Sequence, residues 1–441
     1  MTAPSTRPEP TPLAHALTGA GVTLHQTPRP EWMLNDLGLE KTPPTAFPRT
    51  EEEFVITLRE AARLGVGVVP IGGGRGLAPV DGLRDVALLL SFEKWTGVLE
   101  HSAADYVVTV RSGTRLAELQ STLAPDRQWL ALEPPDPEQA TIGGLIASAA
   151  TSALEASEGT LRASLLGCRV LHTDGHITKA GGKVVKNVSG YDLMKLYHGS
   201  RGGLVTLLDA TFRLKPHAAC DRVSSLEIAG ALERWPPHLL RDAIPADPAG
   251  VHLWGVLGDD GPQGLAIRFQ GARAAVDTLQ SAVRAHVDVE LITEDVPTPG
   301  RGRRPAALER ITGLLSRGED PDAVHLEAKL PLSSAAAAHA RLQQWAHKGE
   351  CRGEFLLDGG TGRWWLKFPG SSTPSSAALV SLRDCVRGLG GWLQLHAVPR
   401  RLRLEARSPG VDAARSALTR QIKERFDPAG VLSPGRWEGG S

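Results

Sequence analysis

The chain has 441 residues, equal numbers of basic and acidic side chains, and a formal net charge of zero. That length suits two or three domains rather than one core, and the balanced charge argues against a nucleic-acid or anionic-membrane partner. The four cysteines, at positions 168, 220, 351 and 385, are far apart in sequence and form no CxxC pair. This spacing argues against an iron–sulfur cluster, a zinc site or a disulfide framework, so no metal is expected.

Residues 1–45 contain eight prolines and predict a loose arm with little regular helix. The segment has neither the basic leader nor the apolar core of a signal peptide. No apolar run in the chain approaches the ~18 residues that a membrane span needs. We therefore expect a soluble, cytoplasmic protein with no direct membrane span, which would associate with a membrane only through partner subunits.

Residues 46–218 predict a mixed α+β domain with two lobes. An amphipathic helix over 50–64 is followed by a buried strand over 68–71, which leads into the run Gly72-Gly73-Gly74-Arg75-Gly76. Successive glycine N–H groups can form a nest that binds the pyrophosphate of a nucleotide. The alternative is a tight turn between a strand and a helix. The run fits neither the spacing of a Rossmann loop nor that of a Walker A loop.

Later elements of this domain are a strand over 106–110, a helix over 115–123 and a hairpin over 166–179. Between them, Pro135 precedes a second glycine-rich segment, Thr141-Ile142-Gly143-Gly144, which predicts a helix capped by Thr141. The N–H groups and dipole of that helix would face the same phosphates. The plainer interpretation is a proline loop followed by a helix cap.

The third glycine-rich segment runs from Gly181 through Tyr191-Asp192 to Val205 and is rich in lysine. Its glycines recur too often for the interior of a helix or strand, but they suit backbone that lies against a ligand. Within it, Lys186 and Asn187 are polar candidates for a binding site. The alternative for Lys186 is a surface lysine whose stem covers apolar area.

These three segments, in this order, resemble the flavin-binding domain of the p-cresol methylhydroxylase / vanillyl-alcohol oxidase superfamily. The run from 181 to 200 and the strand-like Ala210-Thr211-Phe212-Arg213 are most similar to the FAD-binding subunit of bacterial glycolate oxidase. The similarity covers about half of the chain, including residues 426–436. It implies an α+β fold: a two-lobed FAD-binding domain of the p-cresol methylhydroxylase type over 46–218, then a ferredoxin-like cap over 219–410. Residues 411–441 would return to the first domain.

The resemblance also implies which positions contact FAD. They are Gly72, Gly73, Gly74, Arg75, Gly76, Pro135, Thr141, Gly143, Gly144, Ser148, Gly159, Arg162, Lys186, Asn187, Gly190, Asp192, Gly202, Leu204 and Val205. Some family members tether the flavin through a histidine just after the glycine loop. Arg75 occupies that position here, so we expect non-covalent FAD and a guanidinium that is free to pair with a phosphate.

The chain departs from the family pattern in several places. Gly203 replaces the threonine, and Val205 the last glycine, of the family's GS-x-GTLG run, and Ala163 replaces an aspartate beside Gly159 and Arg162. Catalytic members carry paired histidines in an HxGDGNxH-like stretch of the cap. This chain offers only the separate His252, His325 and His396, so its catalytic residues are unknown.

The resemblance implies oxidation of glycolate or another small 2-hydroxy acid by an assembly. In that assembly this chain would be the second flavin subunit, beside a catalytic flavoprotein paralogue and an iron–sulfur subunit. One alternative is a self-sufficient FAD-linked dehydrogenase with an unidentified base. The other is a flavin-binding scaffold that performs no chemistry.

Overall fold

The computed structural model describes most of the chain in ten segments. They are residues 12–26, 28–76, 83–182, 191–228, 248–259, 261–287, 289–297, 303–316, 318–402 and 413–436.

The N-terminal region is more ordered than its prolines predict. Helix α1 (Pro12–Gly19) and helix α2 (Glu31–Leu37) are separated by a short strand, β1 (Leu24–His25). The prediction of a loose arm is therefore wrong for these residues. Pro12 is the first residue of α1 and Pro30 directly precedes α2, and at such positions the missing N–H of proline breaks no hydrogen bond.

The first lobe is a four-stranded sheet. In the order β1-β2-β4-β3 it contains, besides β1, the strands β2 (Thr45–Ala46), β4 (Val86–Ser91) and β3 (Gly67–Ile71). Strand β4 pairs in parallel with both β2 and β3. Helix α3 (Glu51–Leu64) buries its apolar face beside this sheet, and its N-terminus is capped by the Thr50 side chain.

The second lobe is a five-stranded antiparallel sheet with the order β5-β6-β10-β8-β9. Its strands are β5 (Val98–Ser102), β6 (Val107–Arg111), β8 (Leu165–Leu171), β9 (Ile177–Gly181) and β10 (Thr206–Arg213). The accompanying helices are α4 (Leu116–Leu123), α5 (Ile142–Ser148), α6 (Glu155–Glu158), α7 (Leu161–Ser164) and α8 (Met194–Tyr197). A small pair, β7 (Gln128–Trp129) and β11 (Lys215–Pro216), joins this lobe to the second domain.

The second domain is built on an eight-stranded antiparallel sheet with the order β15-β12-β14-β13-β17-β18-β16-β19. The first four strands along the chain are β12 (Cys220–Ile228), β13 (Gly250–Leu257), β14 (Gln263–Gly271) and β15 (Ile292–Asp295). The last four are β16 (Val324–Lys329), β17 (Gly353–Asp358), β18 (Arg363–Phe368) and β19 (Trp392–Ala397). The helices are α9 (Arg273–His286), α10 (Ala306–Leu315), α11 (Ala335–Lys348) and α12 (Ser376–Gly388).

Each four-stranded half of this sheet has the same order, in which its first and third strands are central. The second half reads strand–helix–strand–strand–helix–strand along the chain. The sequence pattern predicts strands over 251–257, 264–269, 325–329, 363–368 and 392–397, which correspond to β13, β14, β16, β18 and β19. It predicts helices over 272–287, 334–345 and 377–389, which correspond to α9, α11 and α12, and it does not predict β12, β15, β17 or α10.

Helix α13 (Ala413–Phe426) brings the C-terminal segment back to the first domain. Val68 in β3 donates its N–H to Val431 at 2.8 Å and accepts from the N–H of Ser433 at 2.9 Å. The buried Asp427 accepts from the N–H groups of Val431 and Leu432, which fixes the turn after the helix. Among the described residues, no helix is both long enough and apolar enough to cross a membrane.

Candidate functional site

A cleft between the two lobes of the first domain collects most of the predicted cofactor residues. It encloses about 890 Å³, including space that is open to solvent. Twelve predicted positions line it: Gly72, Gly73, Gly74, Arg75, Gly76, Pro135, Thr141, Gly143, Gly144, Ser148, Gly202 and Val205. The structure thus brings the first two glycine-rich segments and the end of the third onto one surface.

The glycine loop after β3 has the properties of an anion-binding nest. None of the N–H groups of residues 72–76 donates to an acceptor in the described part of the chain. A Cβ on Gly73 would lie 1.8 Å from the Gln139 carbonyl oxygen, and one on Gly72 would lie 2.0 Å from Thr141 Oγ1. Glycine is therefore required here by the neighbouring segment. Only Gly74 has a left-handed backbone, with φ +77°.

Helix α5 contributes a wall of the cleft, but not the free N–H groups that the sequence predicts. The N–H of Gly143 donates to the Ser112 carbonyl at 2.7 Å, and that of Gly144 donates to Thr141 Oγ1 at 3.3 Å. Thr141 caps the helix as predicted, and the cap itself uses one of the donors. The run of small residues predicts that the helix continues to Ser152, whereas it ends at Ser148. Intramolecular acceptors occupy the N–H groups that were expected to be free, and the contact of Gly143 and Gly144 with a cofactor stays a prediction.

Arg75 reaches from the glycine loop to the second domain. Its Nε donates to Gln139 at 3.1 Å, its Nη2 lies 2.8 Å from Glu319, and its guanidinium lies 4.7 Å from the Trp32 ring centroid. Its Nη1 is buried and has no hydrogen-bond partner in the described structure. Only Nη1 thus lacks a described acceptor, while Glu319 and, at 3.9 Å, Asp136 offset part of the Arg75 charge.

Two further arginines line the cleft, and the sequence did not identify either as a site residue. Arg201 and Arg436 each carry a buried guanidinium nitrogen, Nη1 and Nη2 respectively, without a described hydrogen-bond partner. Burial lowers the pKa of both side chains, and for Arg436 burial together with the Arg201 charge brings the pKa to about 9. Arg201 lies in the GS-x-GTLG run and Arg436 lies in the similar segment 426–436. Neither motif assigns a function to these two positions.

The cleft is consequently cationic. Its lining contains three arginines and, within the described residues, no aspartate or glutamate. Its remaining walls are largely apolar and include Ile71, Phe92, Leu145 and Leu207. A ligand that combines an anionic group with flat apolar rings fits this arrangement, and FAD is such a ligand.

The other predicted positions lie beside the cleft or outside the described residues. Arg162 forms an ion pair with Asp192, so these two candidates bind each other. Gly159 ends α6 with φ +84°, and Leu204 is fully buried in the core of the second lobe. Lys186, Asn187 and Gly190 lie outside the described residues, so their predicted place near the flavin ring stays a prediction.

The second domain brings together side chains that are far apart in sequence. His396 Nε2 lies 2.8 Å from Glu327 Oε2, and the ring centroids of His325 and His396 are 5.9 Å apart. Glu327 also pairs with Arg363. Although burial acts to raise the pKa of Glu327, the bond from His396 and the charge of Arg363 hold it below its usual range. The expectation that the histidines are separate is therefore wrong for His325 and His396, because β16 and β19 are neighbouring strands.

Ion pairs also join the two domains. Arg268 lies 2.8 Å from Glu133 and 2.6 Å from Asp221, and Arg304 contacts the same Glu133. Elsewhere on this interface Arg363 lies 3.1 Å from Glu155. Among the described residues, no group of three or more histidine, cysteine or acidic side chains could hold a metal ion.

Comparison with known proteins identifies an FAD binding domain in this chain. A family model for an FAD binding domain matches residues 44–181. A D-lactate dehydrogenase of Archaeoglobus fulgidus is 35% identical over 40% of this chain and 42% of its own length. Glycolate oxidase subunit GlcE of Escherichia coli is 27% identical over 77% of this chain and 84% of its own. In fold, 4-ethylphenol oxidase from Gulosibacter chungangensis is similar with a TM-score of 0.65, 15% identity, and coverage of 90% and 89% of the two chains.

The matched family segment contains the glycine loop, Thr141 and all of α5. The chain spans less than half of the D-lactate dehydrogenase, but most of the glycolate oxidase subunit. The resemblance predicted from the three glycine-rich segments, to FAD-binding oxidoreductases and to a glycolate oxidase subunit, is thereby confirmed. Residues 44–181 match an FAD binding domain, and the chain is similar in sequence to a subunit of bacterial glycolate oxidase and in fold to a 4-ethylphenol oxidase.

Proposed function

We propose that this chain is the FAD-binding subunit of a glycolate oxidase-like 2-hydroxy-acid dehydrogenase complex. The observation that carries the FAD part is the cleft, where the guanidinium groups of Arg201 and Arg436 and the N–H groups of the glycine loop face a lining without described acidic side chains. Unpaired buried cations are costly unless an anion neutralises them. The diphosphate of FAD would supply that anion.

When bound, FAD supplies a hydride acceptor, and the protein binds and orients it. The glycine loop and Arg75 would hold the phosphates, and Ser148 would add a hydroxyl where α5 meets Gly76. Binding would be non-covalent, because Arg75 stands where tethered relatives have a histidine. The second domain would form a ferredoxin-like cap over 219–410, supported by the repeated strand order of its two halves.

The partner proposal comes from the glycolate oxidase subunit, whose name describes one subunit of an oxidase. We propose a catalytic flavoprotein paralogue and an iron–sulfur subunit as partners, and a small 2-hydroxy acid as the substrate of the assembly. Among the described residues, the cap offers no paired-histidine metal site. The complex rather than this chain would then bind the substrate productively.

The direct experiment is purification without added flavin. The protein should be yellow, and acid precipitation should release FAD into the supernatant. Flavin that stays with the precipitated polypeptide would contradict the non-covalent proposal. A colourless protein that FAD cannot reconstitute would contradict the proposed function itself.

A second candidate is a self-sufficient dehydrogenase, and the His396–Glu327 pair favours it. A histidine held by a buried carboxylate can accept a proton from a hydroxyl group. Arg201 lies near enough to Glu327 for that carboxylate to raise the Arg201 pKa against the stronger lowering by burial. Glu327 is therefore close to one of the arginines that line the cofactor cleft.

Anaerobic mixing with glycolate and D-lactate separates the two candidates. For a subunit we expect slow bleaching of the flavin or none. Bleaching at about 1 s⁻¹ or faster, the low end of ordinary turnover, would favour the self-sufficient enzyme. In that case His396→Asn should remove most of the rate, since general-base catalysis contributes about 10²–10⁴-fold.

A further inference from the structure

Arg436 is carried to the cofactor cleft by the C-terminal segment, residues 427–436. Besides its bonds to Val68, this segment is fixed by Ser433 Oγ, which donates to the Gly202 carbonyl at 3.1 Å. Lys423 Nζ donates to the Gly203 carbonyl at 2.7 Å and to the Leu432 carbonyl at 2.6 Å. The position of Arg436 is therefore set by buried contacts with both lobes.

Arg201 is brought to the same place by a different part of the chain. The backbone N–H of Arg201 donates to the Ala147 carbonyl at 2.8 Å. The backbone of Arg201 has φ +52°, which is unfavourable for a non-glycine residue. Arg436 Nη1 donates to the carbonyl of Arg201 at 2.7 Å, so the two residues are in contact. Two like charges are thus held together in a buried cleft.

This arrangement is unfavourable in the absence of a ligand. Arg436 is only 6% exposed, and each of the two guanidinium groups has a buried nitrogen without a described partner. A buried cation needs an anion or a set of hydrogen-bond acceptors. None of the described residues that line the cleft is acidic. Glu327 acts on Arg201 from outside this lining, and a bound anion would supply the acceptors that the described lining lacks.

We propose that Arg201 and Arg436 together bind the diphosphate of FAD, so that the C-terminal segment completes the cofactor site. This inference rests on the proposed binding of FAD. Guanidinium groups form paired, charge-assisted hydrogen bonds with phosphate oxygens. The two positive charges match the two negative charges of a diphosphate, whereas the flavin and adenine rings offer neutral acceptors that leave both charges uncompensated.

The test compares FAD and riboflavin binding to apoprotein of the wild type and of two variants, Arg436→Met and Arg201→Asn. Asparagine is chosen at 201 because it tolerates a left-handed backbone. FAD affinity should fall roughly 10- to 100-fold in each variant, the loss expected for hydrogen bonds to a charged group. Riboflavin lacks phosphate, so its affinity, however weak, should be the same in all three proteins. An equal loss for both ligands would overturn the proposal.

Thermal unfolding of the apoproteins distinguishes a ligand-binding role from a structural one. Removing an unpaired buried charge should leave the Tm of the apoprotein unchanged or raise it. A fall in apoprotein Tm would make Arg436 a structural residue and overturn the proposal. The conservative variant Arg436→Lys keeps the positive charge but lacks the paired N–H donors of a guanidinium group. Its FAD affinity should lie between those of the wild type and Arg436→Met.

Two more measurements distinguish a protein that does not bind FAD from one whose arginine pair does not contact the diphosphate. The exposed Arg425, in helix α13 of the same C-terminal region, provides the matched control, and Arg425→Gln should bind FAD as the wild type does. Wild type that binds no FAD would refute the proposed function, whereas equal FAD affinity in the wild type and Arg436→Met would refute this inference alone. If inorganic pyrophosphate raises the apoprotein Tm as much as FAD does, the pair is a general anion site and its assignment to the cofactor falls.

Discussion

Arginines are buried in two regions of this protein, the cofactor cleft and the interface between the domains, and their partners differ. At the interface, Arg268 contacts both Glu133 and Asp221, and Arg363 contacts both Glu155 and Glu327. In the cleft, Arg201 and Arg436 face a wall without described acidic residues. Burial is similar in the two regions, so burial alone does not mark a binding site. What distinguishes the cleft is the missing counter-charge.

The interface arginines therefore stabilise the contact between the domains, whereas the cleft arginines are proposed to bind a ligand. Removing a cation should have opposite consequences in the two regions. At the interface, removing the cation leaves buried carboxylates without a partner. In the cleft, it removes the repulsion between the charges of Arg201 and Arg436.

The largest effect is expected for Gly73→Val in the glycine loop. Since a Cβ would lie 1.8 Å from the backbone oxygen of Gln139, the loop must separate from that segment. We expect loss of FAD occupancy and a destabilisation at or above the usual 1–3 kcal/mol of overpacking. Gly143→Val, whose Cβ would meet Ser112 Cβ at 2.8 Å, should have the same kind of effect. Flavin absorbance per polypeptide and Tm are the measurements.

The matched control is Gly19→Val, because a Cβ at Gly19 meets nothing within 4 Å. This variant should keep wild-type FAD content. A Gly73→Val protein that is yellow and has the wild-type Tm would show that the loop is only a turn with room to move.

The second effect is at the interface, where Arg268→Met leaves Glu133 and Asp221 with reduced pairing. Breaking a buried ion pair on one side typically costs about 3–5 kcal/mol. We expect the Tm and the urea midpoint to fall clearly, while the FAD affinity of the folded protein is unchanged. Weaker FAD binding at an unaltered Tm would place Arg268 in the cofactor site and remove the distinction between the two regions.

The sequence predicted the loop, α3, α5 and the family, because glycine runs, caps and 3.6-residue periodicity are local signals. It could not predict that Ser112 and Thr141 occupy the first N–H groups of α5, since Ser112 is distant in sequence. The pairing of His396 with Glu327 was likewise hidden, because β16 and β19 become neighbours only in the sheet. Arg201 and Arg436 were missed for the same reason: what marks them is an absent partner, and sequence does not show which side chains face each other.

A third, smaller effect concerns FAD affinity at alkaline pH. Burial and the neighbouring Arg201 lower the pKa of Arg436 to about 9, so the apoprotein loses this proton as the pH rises through about 9. Above this pH, FAD can bind to the charged form only if Arg436 takes up a proton. Above that pH, FAD affinity should fall up to about tenfold per pH unit, the limit for one coupled proton. Arg436→Met should lack this dependence, and isothermal titration between pH 7 and 10 measures it.

The smallest effect concerns stability in acid and should be confined to the interface. Although burial acts to raise the pKa of Glu133, the charges of Arg268 and Arg304 hold that pKa below its usual value. A carboxyl group with a lower pKa in the folded state stabilises the fold fully above its unfolded pKa of about 4.3, and this contribution is lost as the pH falls. The urea midpoint should therefore change little from this group between pH 7 and pH 5, decrease as the pH falls below about 4.3, and decrease less there in Glu133→Gln. Because the described cleft lining has no carboxyl group, FAD affinity of the folded protein should not follow the Glu133 titration. An equal pH dependence of FAD affinity in the wild type and Glu133→Gln would agree with this separation, whereas its disappearance in the variant would show that the interface and the cleft are coupled.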